Sequence, residues 1–208
     1  MSRTGRHAGS GETTFSERQL RDALAQFATG VAIVCARAPD ERCRAASKRE
    51  FHPLGRQGGG DAPSVGVLSK RYVGFTANSF SSASLDPPLV LWTLAQRSSS
   101  LAAFEASPRY AVNVLSAGQI ELARRFSRPH ADRFANVSFR LGSSDAPLID
   151  GCVAWFECRH HAQHRIGDHM LFVGEVVTVE RARGHGLVFQ HGHYGSIATL
   201  PRKNDSKR

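Results

Sequence analysis

The sequence predicts a mainly β protein of the α+β class, built around an antiparallel barrel. Three observations carry this reading: at least six strand-like runs, only three helix-like runs, and no strand–helix alternation of the kind that builds a parallel sheet. The 208 residues contain no internal repeat and suit one domain with appendages.

The elements follow in chain order. In "FSERQLRDALAQFA", Ser16 and Gln19 form a capping box and Phe15 staples to Leu20. Leu20, Ala23, Leu24 and Phe27 then recur at helical spacing. "GVAIVCA" (30–36) and "YVGFTANSF" (72–80) read as strands, as does "PLVLWTL" (88–94) beyond the turn at Asp86-Pro87. Serines open a short helix, "SSSLAAFEAS", which Pro108 stops. Strand "RYAVNVL" (109–115) leads into a third helix, "LSAGQIELARRFS", where Ser116 and Gln119 repeat the capping box. "VAWFECRHH", "HMLFVGEVVTVER" and "GLVFQHGHYGSI" complete the strands.

The segment 37–71 fits none of these patterns. It is rich in Pro, Gly and charge and reads as a loop insertion in a hairpin joining the first two strands. The predicted organisation is therefore a flexible N-terminal tail (1–14), a domain spanning 15–200 interrupted at 37–71, and a basic C-terminal tail (201–208).

A net charge of +9 raises the question of nucleic acid. The tails and the insertion hold +8 of it (+1, +4 and +3), which leaves the folded body nearly neutral. Solvated loops explain that distribution better than a basic groove, so no nucleic-acid partner is expected. No apolar run of about 18 residues offers a membrane span. The N-terminus has no apolar core of a secretory signal. Four cysteines without C-x-x-C spacing fit a reducing, cytoplasmic setting.

Several stretches carry chemistry. "GFTANSFSSASLDPP" crowds Thr76, Asn78, Ser79, Ser81, Ser82 and Ser84 between two apolar runs. Such hydroxyls and amides suit the edge of a polar heteroaromatic ring, although a plain Ser/Thr-rich loop has the same composition. Ser98, Ser99 and Ser100 at a helix start, beside Arg97, suit a phosphate or a simple N-cap. Cys158, His160, His161, His164 and His169 lie on an extended run without metal-ligand spacing, so no metal is expected. No G-x-S-x-G nucleophile elbow and no G-x-G-x-x-G fingerprint is present.

Taken together, "FATGVAIV", "VGFTANSFSSASLDPPLVLWTL", "SSSLAAF", "YAVNVLSAGQIELARRFS", "DRF", "APLIDGCVAWFECR", "GDHMLFVGEV" and "HGHYG" make the chain resemble the flavin reductase family of the FMN-binding split-barrel fold. That family includes the reductase components of two-component flavin-dependent monooxygenases. The resemblance spans nearly all of 15–197 except 37–71, where family members usually have a short hairpin.

The resemblance implies a six-stranded antiparallel split β-barrel with about three flanking helices, a homodimer, and FMN or FAD as flavin. It implies Thr76, Ala77, Asn78 and Ser79 along the flavin ring, with Ser82 close by and Trp92, Thr93, Leu94 and Ala95 continuing the wall. Ser98, Ser99 and Ser100 would hold the phosphate, and Phe126 and Ser127 would close the pocket. Gly167, Asp168 and His169 resemble the family's NAD(P)H motif, with His169 as the catalytic residue that orients the nicotinamide. The implied activity is hydride transfer from NADH or NADPH to the flavin, which supplies a partner monooxygenase. The alternative is a split-barrel electron carrier or flavin sensor without NAD(P)H turnover, because one fold hosts many functions.

Overall fold

The computed structural model describes residues 14–38, 71–128 and 132–198. The expected tails lie outside these residues apart from Thr14, and so does the insertion apart from Arg37, Ala38 and Arg71.

The main sheet is antiparallel and comprises β2 (Ala32–Arg37), β3 (Tyr72–Ala77), β4 (Ser81–Leu85), β5 (Pro88–Ala95), β6 (Arg109–Val114), β9 (Ala154–Ile166) and β10 (His169–Arg181). Its order is β3-β2-β6-β9-β10-β5-β4, so the first and last strands are consecutive in the chain. Only Asn78–Phe80 separate them. The run 72–85 is thus one long strand with a bend: its first half pairs with β2 and its second with β5. This switch wraps six strand positions into the expected barrel, in the way a bent strand turns a corner between sheets.

Period-2 alternation fills the barrel. Ala32, Val34 and Ala36 of β2, Val90, Trp92 and Leu94 of β5, Tyr110 and Val112 of β6, and Met170 and Phe172 of β10 all point inward. Trp92 stacks on Phe172, with centroids 4.1 Å apart, and meets Tyr110 and Phe104 edge-on. Burying each such ring contributes roughly 1.5–3 kcal/mol.

The alternate residues of β2, Ile33 and Cys35, face a second core. It is covered by α3 (Ile120–Ser127) through Ala123 and Phe126, and by Phe134 and Ile149. Strand β2 is therefore buried on both faces, which explains its unbroken apolar run. The buried Asn113 bridges both layers: its amide nitrogen donates to the carbonyls of Ile33 and Pro147, and its oxygen accepts from the Ile149 amide. Helix α2 (Leu101–Ala106) plugs the barrel with Phe104. Two three-residue strands, β7 (Phe139–Leu141) and β8 (Pro147–Ile149), pair separately.

Helix α1 (Glu17–Leu24) has the predicted capping box but buries none of its residues. Strand β1 (Thr29–Gly30), β11 (Leu187–Gln190) and β12 (His193–Ser196) form a small sheet beside it.

Three expectations change. "GLVFQHGHYGSI" is not one strand but a hairpin, because His191 (φ 50°) and Gly192 (φ 76°) make a two-residue turn with both central residues left-handed. Helix α3 starts at Ile120 and its Ser116 hydroxyl does not cap it; the Gln119 side chain accepts from the Ser116 amide and donates to the Asp150 carbonyl. Residues 81–85, read as a polar connection, form an edge strand against β5.

Candidate active site

The bend at Asn78–Phe80 places the polar cluster of the sequence at one end of the barrel. Thr76 is half-buried, and its hydroxyl donates to the Ala123 carbonyl at 2.7 Å, which fastens β3 to α3. Ser79 extends the pairing with β5: its Oγ accepts from the Thr93 amide at 2.9 Å. Asn78 is exposed. A cavity of about 180 Å³ opens here, lined by Val31, Thr76, Asn78, Ser127, Phe189 and Tyr194. Its lining combines the amide and hydroxyl groups of Asn78, Thr76 and Ser127 with the aromatic rings of Phe189 and Tyr194.

Five of the site residues expected from sequence contribute differently. Trp92 and Leu94 belong to the barrel core, because alternation along β5 turns them inward and leaves Thr93 and Ala95 half-buried on the other face. Phe126 is fully buried and packs under Gly74, where an added Cβ would stand 2.8 Å from its ring. It supports the floor of β3 and leaves Ser127 at the cavity. Ala77 is buried, and Ser82 is carried along β4 opposite Val90, away from the cavity wall.

The serine turn lies close by. Ser98 Oγ accepts from the Ser100 amide at 3.3 Å, Ser99 is exposed, and Ser100 is buried. No side chain caps α2. Instead, the Arg133 guanidinium reaches three chain segments: it donates to the Gly74 carbonyl at 2.8 Å, to Ser100 Oγ at 3.4 Å and to the Arg128 carbonyl at 3.1 Å. Burial lowers its pKa from the usual guanidinium range.

Gly167 and Asp168 form the two-residue turn of the β9–β10 hairpin. Gly167 has φ 55° and no atom near a would-be Cβ, so a glycine is used there for its backbone freedom alone. The Gln96 side chain donates to the Gly167 carbonyl at 2.7 Å, and the Gln96 amide to the Asp168 carbonyl at 2.9 Å. His169 Nδ1 lies 2.7 Å from Asp168 Oδ1. This hydrogen bond, helped by the charge of His169, holds the Asp168 carboxyl below the usual carboxylate range.

The register relates the two halves. His169 stands opposite Ala95, and Ser79 bonds to Thr93 on the same strand. A step of two residues along β5, from Thr93 to Ala95, separates these points, roughly 7 Å. The fold therefore brings the bend and the Gly-Asp-His turn together over some 90 residues of sequence.

Among the described residues, no cluster of His, Cys, Asp and Glu is arranged to hold a metal. Burial pushes the thiols of Cys152 and Cys158 up to about 12 and Cys35 well above its usual value, which favours their protonated form.

Residues 24–198 match the flavin reductase like domain. The chain belongs to that family. It is 36% identical over 183 residues to the FMN reductase (NADH) of Agrobacterium fabrum, covering 88% of this chain and 87% of that one. It is 34% identical over 177 residues to the reductase component of the flavin-dependent trigonelline monooxygenase of Acinetobacter baylyi, covering 85% and 48%. The chain spans about half the length of two of the curated relatives it matches, 49% and 48%. Among solved structures, it resembles the NADH:FAD oxidoreductase of Streptomyces globisporus, crystallised with NAD and FAD fragments. There the TM-score is 0.69 at 36% identity, covering 88% of this chain and 93% of that one.

Within this family member, the sequence reading missed Val31, Phe189, Tyr194, Gln96 and Arg133. Tyr194 lies in "HGHYG" and Arg133 in "DRF", two stretches that carried the resemblance without an assigned role. The cavity fits a flavin by its donor set, since an amphipathic tricycle needs both the aromatic wall and the polar edge.

Proposed function

We propose that the chain is an NAD(P)H-dependent flavin reductase that passes reduced FMN or FAD to a separate flavin-dependent monooxygenase. The carrying observation is the roughly 7 Å step along β5 between Ser79's partner Thr93 and His169's partner Ala95. A donor held at the turn and an acceptor held at the bend are then neighbours, as direct transfer requires.

The flavin, when bound, supplies the hydride-accepting ring. The protein binds and orients. We assign Thr76, Asn78, Ser79, Thr93, Ala95 and Ser127 to the flavin's surroundings and Ser98–Ser100 to its phosphate. Gly167, Asp168 and His169 are assigned to NAD(P)H. With Nδ1 engaged by Asp168, the imidazole is fixed in orientation and its Nε2 is left for the nicotinamide nucleotide. A cavity of about 180 Å³ is smaller than the roughly 300–1,000 Å³ that enclose a drug-sized ligand. The cavity therefore encloses only part of a flavin and leaves the rest outside it.

Helix α1 supports a homodimer: Leu20 and Leu24 stand exposed one turn apart, 43% and 63%, Phe27 just beyond the helix is 76% exposed, and no residue of the helix is buried. A cytoplasmic setting agrees with free thiols at Cys35, Cys152 and Cys158. No described helix is long and apolar enough to cross a membrane.

The test is anaerobic. FMN or FAD is added to the protein, then NADH or NADPH, and the visible flavin band is followed. Catalytic bleaching supports the reductase and identifies both nucleotides. A band that persists with either donor, although flavin binds, excludes it in favour of a carrier or sensor.

A further inference from the structure

The β11–β12 hairpin places an aromatic pair on the cavity from the far end of the sequence. Phe189 and Tyr194 are directly opposite in register, with ring centroids 5.1 Å apart at 56°. The hairpin itself is held firmly. Its His191 amide donates to the Ala25 carbonyl at 3.1 Å and its Gln190 side chain to the Gln26 carbonyl at 2.8 Å. On the other side, β1 pairs with β11, Thr29 opposite Phe189. The Arg124 guanidinium lies over the Tyr194 ring, 5.9 Å from its centroid, and is itself bonded to Glu121.

Tyr194 is therefore located by Phe189 and Arg124 and still only half-buried, and it lines the cavity together with Thr76, Asn78 and Ser127. A tyrosine serving only the second core would have no reason to stand at that opening. We infer that Tyr194 is a flavin-contacting residue, its ring set by Arg124 and Phe189 to lie against the isoalloxazine system. This rests on the flavin reading above and adds to it a named wall residue from outside the polar bend.

A phenol in contact with a flavin has a specific optical consequence. Light-excited flavin takes an electron from the phenol, and the electron then returns, so emission is quenched and nothing is consumed. FMN and, in parallel, FAD are titrated into the wild type, Tyr194→Phe and Tyr194→Ala. Affinity is read by equilibrium dialysis and bound-flavin emission by lifetime. Tyr194→Phe should keep affinity within about twofold but lengthen the bound lifetime several-fold, because it retains the ring and loses the electron donor. Tyr194→Ala should weaken binding about tenfold, the scale of one lost aromatic contact. Circular dichroism of both variants checks the fold. If wild type binds flavin but Tyr194→Phe leaves the lifetime unchanged, Tyr194 is not at the ring, and the flavin site stands without it. If wild type binds neither flavin, the site reading itself falls and this inference with it.

Discussion

The hydroxyl of Tyr110 occupies the space where a side chain at Gly174 would begin. Gly174 is on β10, Tyr110 two strands away on β6, and the phenol reaches across β9 to meet the glycine's bare Cα. Tyr110 is fully buried and lies edge-on to Trp92, so neither ring can retreat. Gly174→Ala should therefore destabilise the fold by about 3 kcal/mol through overpacking. Gly167→Ala meets open space and should cost only about 1 kcal/mol, the left-handed backbone penalty. Urea melts of the two variants check this; equal losses would show that crowding at Gly174 is not what matters.

His169→Ala should raise KM for the nicotinamide nucleotide about tenfold, the scale of one lost hydrogen bond to a charged group, with flavin affinity nearly intact. Its ring sits on the turn, with β5 between it and the bend. Steady-state kinetics with each nucleotide read the effect, and unchanged values would remove His169 from the mechanism.

Arg133 ties together the three segments that carry the candidate flavin groups, through Gly74, Ser100 and Arg128. Arg133→Gln should loosen FMN binding about tenfold, and Arg133→Lys should recover only part, because one ammonium cannot span three separated carbonyl and hydroxyl acceptors. Equilibrium dialysis decides; a full rescue by Lys would mean that charge alone suffices.

The 37–71 insertion departs from the barrel at the end of β3 remote from the bend. The Ala38 amide donates to the Arg71 carbonyl at 2.7 Å, and Arg37 is ion-paired with Asp145. From Tyr72 to Ala77 is roughly 17 Å of strand. Replacing residues 39–70 with Asn-Gly should leave flavin reduction and melting temperature as they were. A folded variant without reductase activity would show that the segment reaches the site.

Glu157 predicts a pH dependence. It is buried, which pushes its pKa up, but bonds from the Ser144 amide at 2.7 Å and the Ser143 hydroxyl at 3.2 Å outweigh this, and the net shift is downward. A carboxyl lower in the folded state than in the unfolded one stabilises the fold above the ordinary carboxylate value, about 4.3. That contribution fades as pH falls through the depressed folded value. Urea midpoints between roughly pH 2 and 6 should decline less steeply in Glu157→Gln than in wild type. Parallel curves would assign the acid limb to other groups.

The sequence was most legible where burial imposes a period. Strand β10 emerges with the predicted bounds, His169–Arg181, because its inner residues alternate and a Gly-Asp turn marks its start. Strand β4 left no such trace, since "SSASL" is exposed on nearly every residue. Strands β7 and β8, at three residues each, are too short for a pattern. Local motifs picked out Thr76 and Asn78, which line the cavity, and the Gly-Asp-His stretch, which forms the β9–β10 turn. The contiguous reading of Trp92–Ala95 ignored the alternation that sends Trp92 and Leu94 inward. Tyr194 was beyond local reading because only the pairing of β1 with β11 brings it near Thr76.

The bend between β3 and β4 is also the clasp of a hoop. Everywhere else the barrel is joined by backbone ladders, whereas next to the bend the Thr93 amide is held by the hydroxyl of Ser79. A side chain that swivels is a weaker fastener than a strand, so the ring of strands loosens there first, and the Thr93 amide should exchange with solvent sooner than its ladder-bonded neighbours. A ligand seated over Asn78 and Ser79 would press the clasp shut. If flavin is that ligand, amide exchange at Thr93 should slow as the site fills, and each departing flavin would leave the barrel, for that moment, unbuckled.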